Sequence, residues 1–112
     1  MKIYKKVMLC CAHQLNLPYE SKCNRLHGHN YKVEVWIEGQ PNKDGMIADY
    51  TDIAAVINNY DHKNLNDFFN PSTAEKFAKE LRDALFGNLM DKNLVAIKVR
   101  VWETPTCYAE AD

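Results

Sequence analysis

Residues 30–38, NYKVEVWIE, alternate without a break. Tyr31, Val33, Val35 and Ile37 fall on one side of an extended chain, and Lys32, Glu34, Trp36 and Glu38 on the other. Successive side chains of a strand point to opposite faces, so this pattern predicts a strand with one buried face and one wet face. Such a strand needs neighbours in a sheet and a second layer against its apolar side. Residues 94–103, LVAIKVRVWE, repeat the pattern: Val95, Ile97, Val99 and Val101 share a face, with Lys98 and Arg100 opposite. Residues 2–12, apolar and β-branched in places, read as a strand paired antiparallel with 30–38. GQPNKDG (39–45) is rich in turn formers and reads as a loop. A further short strand is expected near 46–49 or 107–110.

Two helical stretches supply the second layer. In 51–60, Ile53, Val56, Ile57 and Tyr60 recur at helical spacing, with Thr51 or Asp49 as the cap. In 72–86, Ala74, Phe77, Ala78, Leu81 and Leu85 form one apolar stripe. STAE (72–75) fits a capping box, Pro71 precedes it, and Gly87 is the expected stop. Strand, strand, helix, helix, strand predicts an α+β domain, an antiparallel sheet with two helices packed on one face. A length of 112 residues predicts one domain, 1–112. The net charge of −1 argues against a nucleic-acid partner. MKIYKKVMLCC is too charged for a signal peptide, and no segment is long enough to span a membrane, so a cytoplasmic protein is expected. The four cysteines, at 10, 11, 23 and 107, are then reduced. Adjacent Cys10 and Cys11 read as small buried apolar residues.

CNRLHGH (23–29) is where chemistry enters. His27 and His29 are two apart, so a strand aims them together, and Gly28 keeps the opposite face free of bulk. If 2–12 and 30–38 form a hairpin, His13 lies beside them. Three imidazoles there can converge on one ion, with Zn–N near ~2.1 Å. Three protein ligands and an open position is the catalytic zinc pattern. The alternative is a set of ordinary surface or core histidines. Cys23 sits in the long connection 14–26. As a fourth ligand it closes the site and makes it structural; as a free thiol beside a dication it is a base or nucleophile. Spacing does not choose between these. Glu103 continues the apolar parity of 95–101, and a carboxylate buried there needs a partner. That partner is a Lys or Arg of the protein, or a ligand with several N–H donors. Asp61–His62 follows the first helix, either as a solvated helix end or as an imidazole placed for proton transfer.

AHQL (12–15), KCNRLHGHNY (22–31), GMIADY (45–50), YDHKNLND (60–67), NPSTAE (70–75) and VWET (101–104) stand in this order along nearly the whole chain. Together they resemble the 6-pyruvoyl-tetrahydropterin synthase superfamily, in particular its 6-carboxy-tetrahydropterin synthase branch of queuosine biosynthesis. The resemblance implies that His13, His27 and His29 bind zinc and that Cys23 is catalytic. It implies that His62 and Asp61 serve proton transfer with Glu103, and that Glu103 anchors the pterin ring. Thr73 and Glu75 are expected near the pterin, although the capping box explains them equally well. Lys22 and Arg25 flank Cys23, as contacts to a triphosphate or as solvated loop charges. The implied fold is a tunnelling-type α+β domain forming homo-oligomers, trimers and then hexamers, with sites between subunits; Asp61 and His62 then come from a neighbour. The implied substrate is 7,8-dihydroneopterin triphosphate, converted with zinc as Lewis acid to 6-carboxy-5,6,7,8-tetrahydropterin, acetaldehyde and triphosphate. The alternatives are the sister enzyme making 6-pyruvoyl-tetrahydropterin and a non-catalytic zinc-stabilised binding module. Three residues between Cys23 and His27 resemble the carboxy branch. LCCAH before the first histidine, and Tyr50 in place of a common Phe, depart from the pattern without touching a chemical position.

Overall fold

The computed structural model describes residues 1–89 and 93–112. Four strands form one antiparallel sheet in sequence order: β1 (Lys2–His13), β2 (His27–Gly39), β3 (Leu94–Thr104) and β4 (Cys107–Ala111). Between β2 and β3 come α1 (Tyr50–Asn58) and α2 (Ala74–Asn88), and both helices cover the same side of the sheet. The alternation in 30–38 explains this arrangement. Tyr31, Val33, Val35 and Ile37 are fully buried, joined by Val7, Leu9 and Cys11 from β1 and Ile97, Val99 and Val101 from β3. Against them pack Ile53 and Ile57 of α1 and Phe77, Ala78, Leu81 and Leu85 of α2. Burying each large aliphatic or aromatic side chain contributes about 1.5–3 kcal/mol, so this face holds the sheet and helices together.

Among the described residues no helix covers the other face of the sheet, which carries a polar and aromatic network. Glu34 accepts hydrogen bonds from the Tyr4 hydroxyl and the Trp102 indole N–H, both at 2.6 Å. Lys98 sits 4.6 Å from the centre of the Trp36 ring, and Arg100 donates to Glu110 at 2.8 Å.

Several boundaries differ from the sequence reading. The further strand is β4, and 46–49 is not a strand. Val95 is 68% exposed although its parity is apolar. The register of β2 on β3 slips between Glu38 and Gly39, so that Glu38 faces Ala96 and Gly39 faces Leu94. Val95 falls in that bulge and turns outward. Close backbone approach at the bulge also requires Gly39, where a Cβ would lie 2.3 Å from the Asn93 carbonyl oxygen. Asp49 caps α1, accepting from the Thr51 N–H at 2.8 Å. Thr73, not Ser72, caps α2: its hydroxyl accepts from the Lys76 N–H at 3.2 Å. The STAE capping box does not form, because the third residue after the Thr73 cap is Lys76. Gly87 does not stop α2, which runs on to a C-cap at Leu89. Cys11 is buried as expected, while Cys10 is exposed because it faces the opposite side of β1.

Candidate metal centre

The β1–β2 register sets the site. His13 lies opposite His27, and Cys11 opposite His29, so the three histidines share the helix-facing side at one end of the hairpin. One ligand atom from each of His13, His27 and His29 lies within 4.8 Å of the others, and Cys23 does not belong to this group. Two of the rings are held by main-chain carbonyls. His13 Nδ1 lies 2.6 Å from the Ser72 carbonyl oxygen, and His27 Nδ1 2.6 Å from that of Arg25. Each Nδ1 therefore carries the proton, and each Nε2 lone pair is left free to coordinate. His13 is 1% exposed, and the Nε2 atoms of His13 and His29 are buried with no hydrogen-bond partner. Glu103 Oε1 comes within 3.2 Å of His29 Nε2 but off the line of a hydrogen bond. Burial pulls the His29 pKa below its ordinary value; Glu103 opposes this, and His13 and His27 add to it. Two buried ring nitrogens without a partner among the described residues, beside a third imidazole whose Nδ1 is held by a carbonyl, fit a divalent metal ion.

Beside the histidines is a cavity of about 440 Å³ lined by Cys23, His27, His29, Glu103 and Thr104, with Lys22, Arg25 and Leu26 around it. Cys23 belongs to a 3-10 turn, Lys22–Asn24, capped by Ser21. Glu103 has no Lys or Arg partner among the described residues. Asp61 and His62 lie elsewhere. Residues 61–64 run along the free edge of β1: the His62 N–H donates to the Cys10 carbonyl at 2.7 Å, and the Cys10 N–H to Asp61 Oδ1 at 2.9 Å. His62 adopts a left-handed φ of 59° and is 78% exposed, with Nε2 3.7 Å from Asp61 Oδ2. It lines a second cavity with Cys10, Gly28, His29 and Asn30; His29 borders both spaces, but Cys23 does not line this one. Within one chain, then, Cys23 and Glu103 meet the histidine cluster, whereas Asp61, His62 and Thr73 stay outside the Cys23 cavity.

The sequence model described as 6-pyruvoyl tetrahydropterin synthase matches residues 2–112. The chain belongs to this family. A Pyrococcus abyssi protein provisionally named 6-carboxy-5,6,7,8-tetrahydropterin synthase is 37% identical, covering 97% of this chain and 88% of that protein. The 6-carboxy-5,6,7,8-tetrahydropterin synthase of Haemophilus influenzae is 28% identical over 97% of this chain and 96% of its own length. The structure of Caenorhabditis elegans 6-pyruvoyl tetrahydropterin synthase superposes with a TM-score of 0.78 at 25% identity, covering 99% of this chain and 94% of that one. The sheet and its two helices are thus the tunnelling-type fold of the family, whose named members are tetrahydropterin synthases. No helix among the described residues is long and apolar enough to cross a membrane.

Sequence reading missed the supports of the site in this family member. Ser72 is fully buried and offers its carbonyl to His13. Asn66 ties the neighbouring segments together: its Oδ1 accepts from the Gln14 N–H at 2.8 Å and the Ser72 hydroxyl at 3.2 Å. Its Nδ2 donates to the Gln14 carbonyl at 2.9 Å and to Asn70 Oδ1 at 2.6 Å. Two of these partners are backbone groups, which no residue pattern announces. The one available signal was NPSTAE, which placed 70–75 in the family pattern without saying what Ser72 does.

Proposed function

We propose that this chain is a zinc-dependent lyase that converts 7,8-dihydroneopterin triphosphate to 6-carboxy-5,6,7,8-tetrahydropterin, acetaldehyde and triphosphate, in queuosine and related 7-deazapurine biosynthesis. One observation carries the reading: two members of a three-histidine donor set, His27 and His29, share one cavity with a carboxylate that has no Lys or Arg partner among the described residues and with a thiol outside the donor set. The names of the Pyrococcus and Haemophilus relatives support the carboxy branch. Held by His13, His27 and His29, zinc supplies Lewis acidity toward the hydroxyls of the substrate side chain. Cys23 Sγ, next to the cluster and free to move a proton, is the base that takes it from the side-chain carbon. Glu103 accepts the N–H donors of the pterin edge, which is why it lacks a protein cation. His62, oriented by Asp61, completes proton transfer from a neighbouring subunit. Its 78% exposure supports a homo-oligomer, a trimer or hexamer, in which this surface meets another chain. Thr73, whose hydroxyl caps α2, does not line the Cys23 cavity. The four thiols are free, in keeping with the cytoplasm.

The similarity to the C. elegans enzyme supports a second reading, with 6-pyruvoyl-tetrahydropterin as product. Mass spectrometry of the pterin formed by the zinc-loaded protein from 7,8-dihydroneopterin triphosphate separates the two. A 6-carboxy product with acetaldehyde is expected. A 6-pyruvoyl product moves the chain to the sister branch, and no turnover refutes both.

A further inference from the structure

Glu103 lies in an irregular stretch of its strand. The pairing of β3 with β4 slips between Trp102 and Thr104, and Glu103 is the residue inside that slip. Bulges bend a strand and re-aim the side chain they carry. Here the side chain ends beside a metal ligand: Glu103 Oε1 is 3.2 Å from His29 Nε2. The contact is not a hydrogen bond, since His29 Nε2 has no partner among the described residues. Its length is instead that of two donors to one ion. Zinc bonds of about 2.0–2.1 Å at the tetrahedral angle put neighbouring donor atoms roughly 3.3 Å apart. Two such donors converge on a third point and do not face each other, as these two do not.

Charge balance points the same way. A partly buried carboxylate needs a cation or N–H donors. No Lys or Arg pairs with Glu103 among the described residues. Ligating imidazoles are neutral, so three of them leave the charge of a dication uncompensated. The ion at His13, His27 and His29 is therefore a cation within reach of this carboxylate. Glu103 stands outside the group that converges within 4.8 Å, so it comes to the centre from the His29 side only. His13 and His27 are each held at Nδ1 by a main-chain carbonyl, and Glu103 is by contrast a side chain that can leave. The same carboxylate borders the cavity assigned above to the pterin. It has two partners to choose between, the ion and the ring.

We propose that Glu103 gates the metal centre: without substrate its carboxylate takes the fourth position beside His13, His27 and His29, and the N–H edge of an arriving pterin ring draws it away. This rests on the function proposed above and adds the regulation of that site. Four protein ligands make a closed, structural type of zinc site, and three with an open position make a catalytic one. The swing of Glu103 turns the first into the second only when the ring is in place. The exchange trades a carboxylate–metal contact for charge-assisted N–H···O bonds, so the ring's own binding drives it. Ring and ion then compete for Glu103, and each weakens the binding of the other by the same factor.

The probe is pterin itself, which has the ring edge and no hydroxylated side chain to bind the ion. It is titrated into the metal-loaded wild-type protein. Zinc affinity is read by competition against a chromophoric chelator, and coordination from the visible absorption of the cobalt(II)-substituted protein. Pterin is expected to lower wild-type zinc affinity about 10-fold and to shift the cobalt band. Glu103→Gln without pterin is expected to lose zinc affinity by about the same factor, the loss that follows removal of a carboxylate from a metal site. Its cobalt band should match that of the wild type with pterin bound. Pterin that binds the wild type yet moves neither zinc affinity nor the cobalt band refutes the gate and leaves the proposed function standing, since an anchor needs no metal contact. Zinc affinity of Glu103→Gln within about twofold of the wild type refutes the gate as well. If Glu103→Gln loses zinc and the wild type binds no pterin, Glu103 is a fixed ligand, and the gate and the pterin reading fall together. The wild-type measurements do not depend on how the variant folds.

Discussion

Asn66→Ala tests whether the metal centre depends on a residue that touches no ligand. Asn66 makes four side-chain hydrogen bonds, to the Gln14 N–H and carbonyl, the Ser72 hydroxyl and Asn70 Oδ1. They tie the residue after His13 to the residue whose carbonyl holds His13 Nδ1. Each such bond contributes about 1 kcal/mol net. Asn66 is half-buried, and water replaces part of what is lost, so truncation should destabilise the apo-protein by about 2 kcal/mol, half of the full sum. Loss of a group that orients a metal ligand lowers metal affinity about 10- to 100-fold. Asn66 acts through Ser72, which puts the expected loss at the lower end, about 10-fold. The assay is competition for zinc against a chromophoric chelator, run beside urea unfolding of the apo-protein. Asn70→Ala is the control: it removes the two bonds between Asn70 and Asn66 and leaves Asn66 joined to both Gln14 and Ser72. Zinc affinity within about twofold of the wild type, with the apo-protein destabilised by about 2 kcal/mol, would falsify the positioning argument and leave Asn66 a purely structural tie.

Cys23→Ala is expected to abolish turnover while zinc stays bound, read by metal content of the purified protein; loss of half the zinc or more makes Cys23 a ligand. Tyr31 is fully buried and its hydroxyl has no partner among the described residues. Tyr31→Phe should therefore raise stability by about 1 kcal/mol in urea unfolding, and a comparable loss would mean the hydroxyl is bonded in solution. Burial alone pushes the Glu34 pKa up, but hydrogen bonds from Tyr4 and Trp102, with Lys32 and Arg100 nearby, outweigh it and hold the carboxyl below its ordinary value of 4.5. A depressed folded pKa adds stability that is present above 4.5 and is lost as pH falls through the lower folded value. Glu34→Gln should flatten that acid limb in pH-dependent unfolding, and an unchanged limb rejects the assignment.

The parts of the fold governed by local periodicity were legible in the sequence. Tyr31 to Ile37 specify β2 and its buried face, and Phe77, Leu81 and Leu85 specify α2, because period and burial coincide there. What failed was set by tertiary contacts. Val95 has the parity of a core residue, yet a bulge opposite Gly39 turns it out. Ser72 has the chemistry of a cap, yet its hydroxyl is directed at Gln14 and Asn66, and the cap passes to Thr73. At the site, the two-residue spacing of His27 and His29 and the hairpin position of His13 predicted the cluster from strand geometry alone. The separation of His62 from Cys23 could not be read the same way, since residues 61–64 are placed by β1's free edge and not by any pattern of their own.

Position 25 serves two masters. Its main-chain oxygen fixes the tautomer of His27, and the residue lines the cavity it shares with Cys23 and Glu103. A carbonyl is present whatever residue occupies the position. Substitutions at 25 can therefore retune what the cavity accepts while leaving His27 oriented as before; at 72, by contrast, the side chain is buried and its hydroxyl bonds Gln14 and Asn66. In a chain this short, lending backbone atoms to the centre leaves side chains free to diverge. A library randomised at 25 is accordingly a direct route to altered substrate choice on an inherited metal centre.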